Sequence, residues 1–206
     1  MTRGQIFKDK VLQGNLMKKL CVFTGAATGS DPRFTDATYQ LGQILASRNL
    51  GLVYGGGKSG LMGKIADAVI ASDGHATGII PKFLDNVEIA HRGLSDLHVT
   101  ETMHERKQLM YDLADGFIIM PGGLGTLDEA MEIITWRQLG LHRKPIIIAN
   151  LYGYWDHMLL LFQNIIDEGF MHHGHTGHFE HVNNMDKLAD RLDFYFPISH
   201  DADNQI

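Results

Sequence analysis

Cysteine is almost missing from this sequence. Cys21 is the only one in 206 residues, so no intramolecular disulfide can form and a reducing compartment is the expected setting. It lies in the apolar run "LCVFTG", where a buried, inert thiol is the ordinary outcome. Long apolar runs are missing too. None approaches the roughly 20 residues that a membrane span needs, and the opening "MTRGQIFKDKVLQGNLMKK" has no continuous apolar stretch like that of a secretory signal. A cytoplasmic protein with no membrane partner is expected. Nor is there a surplus of positive charge: 18 Lys and Arg stand against 24 Asp and Glu, a formal charge of -6. That balance disfavours nucleic acid as the main partner, although small anions can still be held locally.

What is present is 44% hydrophobic residues, arranged as short apolar runs that alternate with longer amphipathic stretches. "KLCVFTG", "LGLVYGGG", "HATGIIP", "LHVTE", "GFIIMPGG" and "KPIIIAN" read as strands. "FTDATYQLGQILASRN", "GLMGKIADAVIASDG", "MHERKQLMYDLAD", "TLDEAMEIITWRQLG" and "YWDHMLLLFQNIIDEG" read as the helices between and after them. Strand followed by helix, repeated, describes right-handed βαβ units on a parallel sheet. The expected fold is a doubly wound, Rossmann-like α/β domain with helices on both faces. One such domain is expected over residues 18–196, after a polar extension at 1–17 and before a tail at 197–206.

In sheets of this kind ligands sit outside the carboxyl ends of the strands. Three strand-to-helix turns carry glycine: "TGAATGS", "YGGGKSGLMG" and "MPGGLGT". Glycine lets backbone approach a ligand, and the helix that follows offers free N–H groups to an anion. None of the three is G-x-G-x-x-G followed by an acidic residue at the end of the next strand, so the NAD fingerprint fails. "GLVYGGGKS" misses a Walker A motif, because Gly51 lies one residue too far from Gly57, Lys58 and Ser59. In "HHGHTGHFEH" five histidines, His172, His173, His175, His178 and His181, crowd together. Glycines interrupt any helix that would align them, so a solvated loop is expected and no metal. Trp136 and Trp155 fall on helices whose apolar faces must be buried, and packing is the expected role of each.

Two segments carry chemistry. Thr126-x-x-Glu129 in "MPGGLGTLDEA" reads either as a capping box, in which each side chain satisfies the other residue's N–H, or as a phosphate seat beside a catalytic carboxylate. In "TMHERKQLM", Met103, Arg106 and Lys107 share one helix face. Cations so near a helix start oppose its dipole. Either Glu105 and Asp112 neutralise them on a solvated face, or Arg106 reaches a phosphate or a ribose oxygen.

The ordered set "YGGGKSGLMG", "MHERKQLM", "PGGLGTLDE" and "TWRQLGLHRKP" resembles the LONELY GUY family, the cytokinin riboside 5'-monophosphate phosphoribohydrolases, over about Leu20 to Gly169. The resemblance implies hydrolysis of the N-glycosidic bond of AMP or an N6-substituted AMP to free base and ribose 5-phosphate, with no cofactor. It implies Arg106 and Glu129 as the catalytic pair. Lys107, Gly122, Gly123, Leu124, Gly125, Thr126, Leu127, Asp128 and Thr135 would hold phosphate and sugar, with Gly25, Gly56 and Gly57 from the earlier turns. Glu88 and Met103 would border the base. It also implies a homodimer, with the helix bearing Trp136 and Leu139 at a two-fold interface and each site bordering the partner. Where relatives commonly read Cys-Gly-Ser-Ser, this chain has Thr24-Gly25-Ala26-Ala27. The alternative on the same fold is a non-catalytic carrier of a nucleotide or cofactor, since fold alone does not decide function.

Overall fold

The computed structural model describes residues 17–84, 90–171 and 177–197. The expected N-terminal extension and C-terminal tail fall almost entirely outside them. Seven parallel strands form one sheet: β1 (Lys19–Phe23), β2 (Gly51–Tyr54), β3 (Ala76–Pro81), β4 (Asp96–Thr100), β5 (Gly116–Ile119), β6 (Ile146–Ala149) and β7 (Glu180–Val182). Their order is β4-β3-β2-β1-β5-β6-β7. Cys21 pairs with Val53 on one side and Phe117 on the other, so β1 is central and the order reverses there.

Among the described residues, besides a three-residue helical turn at Lys82–Leu84, the longer helices α1 (Pro32–Ser47), α2 (Gly60–Ala71), α3 (Met103–Leu113), α4 (Leu124–Gln138) and α5 (Asp156–Asp167) connect strands, and α6 (Met185–Tyr195) follows the last one. Alternation along the strands sends side chains to two separate cores. Leu20 and Val22 of β1, with Ile118 and Ile147, meet Leu41 and Leu45 of α1, Ile65 of α2 and Leu188 of α6. Cys21 and Phe23, with Phe117 and Ile148, meet Met110 of α3, Ile133 of α4 and Phe162 of α5. The sheet is therefore covered on both faces, as the runs of Val and Ile require. Removing a fully buried side chain such as that of Leu41 costs about 2–5 kcal/mol.

Helix starts are set by capping more than by the first apolar residue. α1 begins two residues before the expected Phe34, because the Asp31 side chain accepts the Arg33 N–H at 2.9 Å and Pro32 occupies the first turn. β7 and α6 were not legible. "EHV" is three residues long with no apolar run, and only its hydrogen bonds to β6 make it a strand. α6 is capped by Asn184, whose side chain accepts the Lys187 N–H at 2.8 Å. The histidine-rich segment is thus partly strand: His181 lies in β7, whereas His172, His173 and His175 lie outside the described residues. Among the described residues no three His, Cys, Asp or Glu are grouped to hold a metal ion, and no helix is long and apolar enough to cross a membrane.

Candidate active site

Because the sheet order reverses at β1, the chain leaving β1 turns away from the chain leaving β5, and a cleft opens between them. It measures about 700 Å³ and is lined by residues from Thr24 through Ser30, Phe34, Leu61, Met62, Leu84, Met103, Arg106, Pro121 through Thr126, Glu129 and Tyr154.

The turn after β5 supplies one wall. α4 begins at Leu124, with Gly123 as its N-cap and no side chain capping it. Thr126 is therefore the third residue of the helix and Glu129 the sixth, so the capping-box reading of Thr126-x-x-Glu129 is overturned. The first turn keeps N–H groups without intrahelical partners, facing an end with positive dipole character. Gly122 is required by space: a Cβ there would lie 2.1 Å from the Thr126 hydroxyl and 2.9 Å from the Gly25 nitrogen. The β1 and β5 turns are laced together by Gly25 N–H and the Thr24 hydroxyl, which both donate to the Pro121 carbonyl at 3.1 and 3.0 Å.

A side-chain cap closes the start of α3 instead. The Thr102 hydroxyl accepts the Glu105 N–H at 3.1 Å, and the Glu105 carboxylate accepts the Glu101 N–H at 2.9 Å. Fixing that first turn aims Arg106 inward. Its guanidinium pairs with the Glu129 carboxylate at 3.0 Å, and its Nε–H donates to the Ile79 carbonyl at 3.1 Å. Arg106 is 7% exposed and Glu129 9%. The solvated-face reading of Arg106 fails, since its counter-charge comes from α4 and not from Glu105 or Asp112. Gly55, which the motif reading passed over, makes the room: a Cβ there would sit 2.2 Å from Arg106 Nη2. A buried ion pair is expensive to desolvate, and deleting one partner strands the other at a cost of about 3–5 kcal/mol. Cys21 lies close to this pair. Burial first, and then the Glu129 charge, push its thiol well above the usual range, so it remains an uncharged core group.

The other residues expected at the site divide into two groups. Gly25, Met103, Gly122, Gly123, Leu124, Gly125 and Thr126 line the cleft with Arg106 and Glu129. Lys107 does not; its ammonium is held by Asp128 at 2.7 Å and Glu132 at 3.4 Å. Burial works against that charge, but the two carboxylates outweigh it and raise the Lys107 pKa. Asp128 is accordingly engaged by Lys107, and Leu127 packs against the second core. Gly56 backs onto Ile79 of β3 with φ +78, and Gly57 bridges to Ala90. Thr135 is exposed nine residues further along α4 than Thr126 and is absent from the cleft lining. Glu88 lies outside the described residues. The motif reading missed Thr28, Ser30, Phe34, Met62 and Tyr154, all of which line the cleft. The glycine-bearing first turn signalled the loop, but nothing local signalled Tyr154, whose hydroxyl donates to the Gly122 carbonyl 32 residues away at 2.6 Å.

A family model described as "Possible lysine decarboxylase" matches residues 62–192. A cytokinin riboside 5'-monophosphate phosphoribohydrolase of Arabidopsis thaliana is 40% identical over 182 residues, 88% of this chain and 80% of the relative. A probable cytokinin riboside 5'-monophosphate phosphoribohydrolase of Oryza sativa is 46% identical over 153 residues, covering 74% and 69%. Among solved structures, the molybdenum cofactor binding protein of Rippkaea orientalis superposes with a TM-score of 0.66 at 19% identity, covering 87% of this chain and 98% of that one. At that identity the likeness is one of fold.

Proposed function

The chain belongs to the family of the cytokinin riboside 5'-monophosphate phosphoribohydrolases, and from this premise we propose that it hydrolyses the N-glycosidic bond of AMP or an N6-substituted AMP, releasing free base and ribose 5-phosphate. The observation that carries the reading is the buried Arg106–Glu129 pair, 3.0 Å apart, lining a cleft that also holds an uncapped helix start.

In this reading the 5'-phosphate sits on the first-turn N–H groups of α4, at Gly123 through Thr126. Glu129 follows Thr126 by three residues, about 4.5 Å along the helix axis, which suits a sugar ring joined to that phosphate. Cleavage of the glycosidic bond develops positive charge on the ribose. A fixed carboxylate stabilises that charge or aligns the attacking water. A guanidinium is a hydrogen-bond donor with no acceptor and no acid role, so Arg106, 3.0 Å from Glu129, orients that carboxylate and balances its charge. Met103 and Leu84, both in the cleft lining, offer apolar surface to the base and its substituent.

The test is to incubate the protein with AMP and, separately, with its N6-isopentenyl derivative, and to follow the free base. Release proportional to protein and abolished in Arg106→Ala supports the hydrolase. Binding without release marks a non-catalytic carrier. The same reading includes a cytoplasmic homodimer with its two-fold interface on the far end of α4, supported by Leu139 and Leu141, which are 67% and 64% exposed beside it. A fully active monomer by light scattering at micromolar concentration counts against the interface.

A further inference from the structure

We infer that Tyr154 is a positioning residue for the phosphate seat, its hydroxyl holding the Gly122 carbonyl so that the glycine turn presents N–H groups to the ligand. Backbone N–H groups turned to one point hold an anion, and a carbonyl lone pair aimed at the same point repels it. Here three consecutive carbonyls are committed. That of Pro121 accepts from Thr24 and Gly25, that of Gly123 accepts the Leu127 N–H at 3.1 Å, and that of Gly122 accepts from Tyr154 at 2.6 Å. The first and third bonds come from the chain entering the cleft and from α4 itself. The middle one comes from a side chain on the loop after β6.

That loop is built to deliver the hydroxyl. Tyr152 has φ 57 and Gly153 φ 74, and a bulky residue in the left-handed region is strained unless its surroundings hold it. The Arg33 guanidinium lies 4.3 Å from the centre of the Tyr152 ring, and the Phe34 ring packs against Tyr152 and, edge-on at 5.3 Å, against Tyr154. On the other side, the Asn150 side chain accepts the Trp155 N–H at 2.7 Å and donates to Asp156 at 2.7 Å. Tyr154 thus stands between two anchored neighbours and itself lines the cleft.

The assignment rests on the proposed hydrolysis of a nucleoside 5'-monophosphate. A phosphate grip is made equally in the ground state and the transition state, so its loss raises KM and leaves kcat nearly unchanged. Tyr154→Phe keeps the ring and removes one hydrogen bond, and the KM for AMP is expected to rise about fivefold to tenfold with kcat within about twofold and thermal melting unchanged. An unchanged KM overturns the assignment, and so does a fall in kcat accompanied by a lower melting temperature, which marks a packing role. If the parent protein releases no adenine, the functional reading fails separately. Calorimetry with inorganic phosphate then decides the tether: weaker binding by Tyr154→Phe sustains it, and equal binding overturns it.

Discussion

The chain writes Thr-x-x-Glu at two helix starts, Thr102–Glu105 and Thr126–Glu129, and puts the two copies to different use. In the first, Thr102 is the N-cap and both side chains are spent on backbone N–H groups at the protein surface. In the second, the helix is opened by Gly123, three residues before Thr126, Thr126 is buried at 3% exposure, and Glu129 faces Arg106. The two are coupled, because the cap that starts α3 sets the turn from which Arg106 reaches Glu129. One copy closes a helix end, and the other leaves its helix end open to a ligand.

The same substitution made in both copies breaks the comparison most sharply. Glu129→Gln is expected to lower hydrolysis of AMP by about a hundredfold or more, while Glu105→Gln leaves turnover unchanged; equal rates for the two variants refute the catalytic assignment. The stability cost of Glu129→Gln is also larger than a cap's, about 3 kcal/mol in urea melts, because Arg106 loses a buried counter-charge.

Next in size is Arg106→Lys. It keeps the charge but loses the planar fork and the Nε–H that reaches Ile79, so turnover should fall roughly tenfold to a hundredfold. Parent-like turnover would show that charge alone suffices. Thr102→Ala should destabilise by about 1 kcal/mol with kcat intact, whereas Thr126→Ala removes no cap. Chemical denaturation of the pair reads the difference, and equal capping losses would contradict the helix boundary.

Gly123→Ser sharpens the contrast by writing a cap where there is none. A Cβ at Gly123 meets nothing within 4 Å, so the helix gains only about 0.3 kcal/mol, yet the serine competes for the N–H groups and the KM for AMP should rise. A KM equal to the parent's argues against phosphate at that turn. The smallest effect is expected at the far end of α4. There the His142 Nε2–H donates to the Ile133 carbonyl and Nδ1 accepts the Lys144 N–H. Burial lowers the His142 pKa below its usual 6.5. Its contribution to stability is therefore present above about pH 6.5 and is lost as pH falls from there toward the folded-state pKa. Melting at pH 7.5 and 5.5 should drop less in His142→Gln than in the parent.

The parallel sheet was legible because Val- and Ile-rich runs alternate with helical periods, a pattern that only a sheet covered on both faces can satisfy. The motif words likewise led to Arg106, Glu129 and the "PGGLGT" turn, since glycine and charge are written locally. β7 was not legible. A three-residue edge strand owes its existence to its neighbour, and "EHV" carries no pattern of its own.

Local sequence also determined that each Thr-x-x-Glu stands near a helix start, because propensity and hydrophobic period act over one or two turns. At α3 the cap is local too, but where α4 begins was decided by tertiary structure. Gly122 packs against Gly25 and Thr126, Tyr154 and Thr24 hold the carbonyls of the turn, and those contacts span 32 and 97 residues of chain. The pairing of Arg106 with Glu129, and the separate capture of Lys107 by Asp128 and Glu132, depend in the same way on how α3 lies against α4. A motif names the groups, but the distance between charges on different elements is set by packing, and a buried pair is stable only at that distance.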